Sequence, residues 1–178
     1  MNPAKKPLST LFLFLAFPLC SSIDIIAPNQ SLKDGDVLVS GGQRYTLGFF
    51  SPGNFTRRYM GIWYHKVLER AVVWVENRDN NPVNGTSGVL AIDNQGNLVL
   101  YENNRSIVPV WSTNVSTSSM TDCLAQLLDT GNLILVQRES KRVLWQSFDH
   151  ATDPLLPNMK LWVGPENRFE LVSVILEV

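Results

Sequence analysis

Cysteine is nearly absent from this 178-residue chain. Of its two cysteines, Cys20 lies in an N-terminal apolar stretch and only Cys123 lies beyond it. Once that stretch is removed no intrachain disulfide can form, so the apolar core must hold the fold. Two readings of Cys123 stay open: a small buried apolar residue, or an intermolecular bridge. Histidine is as scarce. His65 and His150 share no metal-ligand spacing with each other or with Cys123, so neither a metal nor a cofactor is expected. Charges of one sign do not gather. Without Lys5 and Lys6, thirteen basic residues face sixteen acidic ones, a net charge of −3, with no footprint for nucleic acid or an anionic membrane. Arg57-Arg58 and Lys141-Arg142 read as solvated loop charges. No apolar run after the leader is long enough to span a bilayer; Phe169–Val178 comes nearest, and Glu170 and Glu177 interrupt it. Helical stripes of ten or more residues are missing too. Ser147 with Asp149-His150 could suggest a hydrolase triad. Neighbours on an extended chain point to opposite sides, however, and no nucleophile-elbow pattern is present.

What is present begins with a leader. Lys5 and Lys6 precede an apolar run from Leu8 to Leu19, and Cys20-Ser21-Ser22 offers small residues for cleavage. Residues 1–22 are therefore expected to be a secretory signal peptide, with the mature chain starting near Ile23. Five Asn-x-Ser/Thr sequons follow, at Asn29, Asn54, Asn84, Asn104 and Asn114, all outside the apolar runs. Together they predict a secreted or surface-displayed glycoprotein.

The strongest internal signal is a repeat. Gly96-Asn97-Leu98-Val99-Leu100-Tyr101 recurs as Gly131-Asn132-Leu133-Ile134-Leu135-Val136, and each copy is followed by an apolar run ending in tryptophan, Trp111 and Trp145. Leu47-Gly48-Phe49-Phe50 and Ala71-Val72-Val73-Trp74 look like a diverged first copy. Tryptophan-to-tryptophan spacing is 37 and then 34 residues. Units of that size cannot bury their own apolar faces, so several must share one core. Short runs rich in Val, Ile, Leu, Phe, Tyr and Trp between Gly, Asn, Asp and Ser clusters predict an all-β chain. Three units are predicted: about Val37–Val75, Val89–Ser112 and Leu124–Ser147. They would form three pseudo-symmetric sheets in a threefold prism, with Trp74, Trp111 and Trp145 at its centre. After Phe148 the repeat stops, and the prolines from Pro154 to Pro165 predict an extended segment from Asp149 to Pro165.

These residues carry a resemblance. Tyr45-Thr-Leu-Gly-Phe-Phe-Ser-Pro-Gly-Asn54, Tyr59-Met-Gly-Ile-Trp-Tyr64 and Val72-Val-Trp-Val-Glu-Asn-Arg78 are similar to the start of plant S-locus-glycoprotein-type ectodomains. Gly88-Val-Leu-Ala-Ile92, Trp111-Ser-Thr-Asn114, Ala125-Gln-Leu-Leu-Asp-Thr-Gly-Asn-Leu133, Leu144-Trp-Gln-Ser-Phe-Asp149, Asp153-Pro-Leu-Leu-Pro157 and Met159-Lys-Leu161 continue the match. The chain resembles the bulb-type lectin domain of G-type lectin receptor-like serine/threonine kinases. That implies a β-prism II fold over 23–150, with 151–178 as an extended tail that departs from the family after 161. The resemblance also implies a receptor with EGF-like and PAN modules, a membrane helix and a kinase. No glycine-rich loop, catalytic loop or metal-binding aspartate of a kinase is present, so no enzyme activity is carried over. The implied work is extracellular recognition of a protein ligand or a mannose-type glycan, in self-recognition (pollen recognition) or defence. Oligomers with related receptor ectodomains would fit that role. The alternatives are the N-terminal fragment of a plasma-membrane receptor kinase and a functional mannose-binding lectin.

Mannose-binding relatives of that family carry Gln-x-Asp-x-Asn-x-Val-x-Tyr, alternate residues that present amide, carboxylate and phenol to sugar hydroxyls while valine meets the apolar ring face. Here the row reads Asp93, Gln95, Asn97, Val99, Tyr101, with the first two exchanged. Asn94-Gln95-Gly96 also reads as a hairpin turn, which would pull Asp93 and Gln95 off the strand face. Two readings therefore stay open: one weak mannose-type site, or Asn97, Val99 and Tyr101 simply building a strand after a turn. The row of the third unit, Leu128, Thr130, Asn132, Ile134 and Val136, has lost most of its polar set.

Overall fold

A computed structural model describes residues 24–53, 56–67, 71–77, 82–115 and 122–150, and the backbone strands at 160–162 and 169–171. The leader, Asn54 and most of the tail lie outside the described residues.

Short β-branched and aromatic runs between glycine and asparagine turns form three antiparallel sheets, as the residue types require. The first sheet is β3 (Val37–Val39), β4 (Tyr45–Phe50), β5 (Arg57–Tyr64) and β6 (Val72–Val75), in that order. The second holds β8 (Val89–Ile92), β9 (Leu98–Tyr101) and β10 (Trp111–Ser112); the third holds β11 (Cys123–Leu127), β12 (Leu133–Gln137) and β13 (Val143–Gln146). These are the three repeat units. The preceding chain completes the other two sheets: β1 (Ile25–Ile26) pairs with β11 and β2 (Ser31–Lys33) with β8, each at a sheet edge. A short β7 (Val83–Asn84) pairs with the start of β5.

Alternation along each strand sends one face inward. Leu38, Leu47, Ile62 and Trp74 meet Leu90, Leu98 and Leu100 of the second sheet and Ala125, Leu127, Leu133 and Leu135 of the third in one buried cluster. Cys123 belongs to that cluster and is fully buried, which is the packing role rather than the bridge. Trp145 sits between the other two tryptophans of the repeat. Its ring lies 6.1 Å from Trp74 and 5.5 Å from Trp111, edge to face in both cases, the arrangement that the ring quadrupole favours. Trp74 and Trp145 are buried, while Trp111 is half-buried against the core.

Two polar ties lock the units together. Arg57 and Arg58 are not loop charges but open strand β5, and Arg58 is not solvated: Asp34, in the β2–β3 turn, takes both forks of its guanidinium, with Nε to Oδ2 at 2.6 Å. Asp129, in the β11–β12 turn, accepts the Gly42 amide at 2.7 Å from the β3–β4 turn. Hydrogen bonds from Ser40 and Gly42 hold its carboxyl below the usual carboxylate range.

After β13, Ser147–Asp149 forms a 3-10 turn. Ser147 and Phe148 are buried and tied back to Asn132, which curls the chain there. Farther on, β14 (Lys160–Trp162) and β15 (Phe169–Leu171) pair antiparallel as a two-stranded ribbon.

Candidate functional site

The row Asp93–Tyr101 spans the β8–β9 hairpin, and two of its side-chain oxygens, Asp93 Oδ1 and Asn97 Oδ1, are engaged by main-chain amides. Asp93 Oδ1 accepts the amides of Gln95 at 2.8 Å and Asn97 at 2.9 Å, while its own amide donates to the Asn97 carbonyl. Gly96 closes the turn at φ 77°, a left-handed conformation that side chains beyond glycine resist. Asn97 is 6% exposed, and its Oδ1 accepts the Val115 amide at 2.7 Å. Thr113 Oγ1 donates to the same oxygen at 3.4 Å and accepts the Leu98 amide at 3.1 Å. Val99 is 1% exposed. Of the five residues, Gln95 is exposed and Tyr101 half-buried. Val99 and Tyr101 share the outward face of β9, and Asp93, Gln95 and Asn97 sit in the turn that precedes it.

The third unit repeats the device. Asn132 Oδ1 accepts from the Phe148 amide and from Ser147 Oγ, and Ser147 Oγ accepts the Leu133 amide at 2.9 Å. Thr113 and Ser147 each stand two residues after the tryptophan of their unit. The repeated Gly-Asn-Leu therefore has a mechanical sense: glycine turns the chain, asparagine clamps the segment after the tryptophan strand, and leucine enters the core. In the first unit Asn77 does a related job, accepting the Met60 amide at 2.9 Å and donating to the Arg58 carbonyl.

A polar arrangement that the along-strand reading missed lies across the third sheet. Gln126, Ile134 and Gln146 are direct cross-strand neighbours on its outward face. Gln126 Nε2 donates to Asp24 at 3.0 Å, and Gln146 Nε2 donates to Asp149 at 3.0 Å while its Oε1 accepts from Asn132. Two amides thus flank an aliphatic side chain. They come from strands 20 residues apart in sequence, so no period-2 motif reveals them.

The remaining candidates separate. Ser147 is buried, and the His150 ring stacks on Trp145 at 5.4 Å while its carbonyl accepts Trp74 Nε1. These contacts assemble no nucleophile–base pair. His65 Nδ1 lies 2.8 Å from Thr46 Oγ1. Among the described residues no group of three or more His, Cys, Asp or Glu could hold a metal, and no helix is long and apolar enough to cross a membrane. Asn29, Asn84, Asn104 and Asn114 are all exposed. One carboxyl escaped the sequence reading. Burial at the end of β6 pushes Glu76 up to about 8.

Comparison with known proteins agrees with this geometry. Residues 71–174 match the family described as D-mannose binding lectin. The chain is 45% identical over 157 residues to the G-type lectin S-receptor-like serine/threonine-protein kinase RKS1 of Arabidopsis thaliana, covering 88% of this chain and 19% of that protein. It is 40% identical over 164 residues to the kinase B120 of the same group and organism, covering 89% of this chain and 19% of that one. The chain thus spans about a fifth of the length of the relatives it matches, and the matched part is their lectin domain rather than their kinase domain. Among solved structures, a lectin of Marasmius oreades superposes with a TM-score of 0.52 at 16% identity, covering 70% of this chain and 90% of the other. Three antiparallel sheets around one core, the family match and this likeness together place the chain in the D-mannose binding lectin family, as a bulb-type lectin domain with the β-prism II fold.

Proposed function

We propose that this chain is an extracellular recognition module of the G-type lectin receptor kinase family that contacts a protein ligand in cell-surface signalling, in self-recognition or defence. The observation that carries the reading is the engagement of the sugar row: Asp93 Oδ1 and Asn97 Oδ1, which would meet hydroxyls, already hold the hairpin and the segment after Trp111. Recognition then falls to loops. The β9–β10 loop carries Ile107 at 93% and Val108 at 77% exposure, apolar surface of the kind a protein partner covers. The leader and the exposed sequons support an extracellular setting. In relatives named as receptor kinases the corresponding part is one of several, so the chain would act as the sensing portion of such a receptor or as its released counterpart.

Glycan contact is the second reading. Gln95 and Tyr101 support it in the second unit, and the Gln126–Ile134–Gln146 row supports it in the third, where amides beside an aliphatic face match a sugar's hydroxyls and ring. A glycan array with the wild-type protein, Gln95→Ala/Tyr101→Ala and Gln126→Ala/Gln146→Ala tests both. The protein-ligand reading predicts no saturable binding by any of them. Mannose binding lost in one double variant, with its melting unchanged, would make the chain a functional lectin and locate its site.

A further inference from the structure

We propose that a recess beside Asn84 seats the first sugar of an N-linked glycan carried by that residue. The proposal rests on the extracellular reading above, because the sugar is added along the secretory route.

Asn84 opens the sequon Asn84-Gly85-Thr86 and lies on β7 directly opposite Arg57 of β5. Its exposed side chain stands at a recess of about 460 Å³ lined by Arg57, Pro82, Asn84, Glu102 and Val110. That volume falls within the range of about 300–1,000 Å³ typical of small-molecule sites. Asn84 Nδ2 donates to Glu102 Oε1 at 3.0 Å, and the Glu102 carbonyl is itself held by Ser87 Oγ at 3.0 Å.

Glycan transfer uses a lipid-linked oligosaccharide diphosphate. A bond forms between Nδ2 and the sugar C1, and the C1–O bond to the diphosphate breaks. The diphosphate leaves with that electron pair, and Nδ2 gives up one of its two protons. The resulting secondary amide keeps one N–H, and with sugar C1 on the other hydrogen's position that N–H donates to Glu102 and fixes the direction of the attached sugar. Within the recess Arg57 supplies donors, Glu102 an acceptor, and Pro82 and Val110 an apolar surface for the C–H face of the ring. The other described sequons are built differently. Asn29, at φ 65°, Asn104 and Asn114, at φ 48°, are exposed, and none of them lines this recess. Their sugars project into water.

The test is a time course of native deglycosylation on the full chain, expressed with its own leader in eukaryotic cells and digested with an amidase that cuts the Asn–sugar bond. Each sequon is followed by the mass shift from Asn to Asp. Release at Asn84 should be at least tenfold slower than at Asn104 and Asn114. Arg57→Ala and Glu102→Ala, each still melting cooperatively, should bring it level with them. Equal release in the wild type, or glycan on Asn104 and Asn114 with Asn84 bare, overturns the seat and leaves the extracellular reading standing. Absence of glycan from every sequon overturns both.

Discussion

Asn97 and Asn132 are the residues whose sequence pattern and structural role diverge most in kind. Asn132 follows only Leu128 and Thr130 in its row, while Asn97, which follows a carboxylate and an amide, reads either as a sugar contact or as a strand residue after a turn. The pattern records residue types and their alternation. What it does not record is where each side-chain oxygen finds its donor, and here the donor is a main-chain amide 18 residues on in one case and 16 in the other. Glu76 shows the same blindness from the other side. Its string, Val-Trp-Val-Glu-Asn, marks a family, yet nothing in it announces a carboxyl pushed from 4.5 to about 8 by desolvation. Its folded-state value is raised, so between about pH 4.5 and 8 the native state binds more protons than the unfolded chain, and stability falls as pH rises through that window. Glu76→Gln should therefore stabilise the protein by about 1 kcal/mol at pH 8, a rise of roughly 3 °C in Tm, and change nothing below pH 4. Thermal melts of both proteins from pH 4 to 9 check this; equal pH slopes would remove Glu76 as the cause.

At the scale of elements, the repeat made most of the architecture readable. The predicted units end within a residue or two of β3–β6, β8–β10 and β11–β13 because each strand keeps its own inward apolar alternation. The edge strands β1 and β2 escaped. Each is two or three residues long, too short for any periodicity, and their pairing with β11 and β8 is set by distant partners. The 3-10 turn after β13 escaped for a similar reason, since long-range bonds to Asn132 hold it. The tie between β5 and the β2–β3 turn is of this non-local kind too. Arg58 and Asp34 are 24 residues apart, and the Asp34 side chain is only 3% exposed. Removing the cation leaves a buried, uncompensated carboxylate, so Arg58→Ala should cost about 3–5 kcal/mol. Arg58→Ala/Asp34→Ala should cost less than Arg58→Ala alone. Urea denaturation of the two variants decides it; a single variant milder than the double would mean that the ion pair is not what holds the turn.

For the whole molecule, one core serves three sheets, and among the described residues no disulfide assists it. Each of the three tryptophans ends an apolar run at a repeated spacing; Trp74 and Trp145 lie in the core, Trp111 packs half-buried against it, and Trp145 bridges the other two. The candidate site was less legible, because in this prism the same asparagines serve the hairpins from which a sugar row would be built. In the second and third units the Gly-Asn-Leu repeat is a clamp that closes the hairpin onto the chain behind its tryptophan. Equilibrium urea denaturation of Asn97→Ala beside Gln95→Ala tests it most directly. Loss of the buried acceptor leaves the Val115 amide unpaired, so Asn97→Ala should lose about 1–3 kcal/mol, while Gln95→Ala, on the exposed turn, should stay within about 0.5 kcal/mol of the wild type. An Asn97→Ala protein as stable as the wild type would contradict the clamp and return Asn97 to the ligand row.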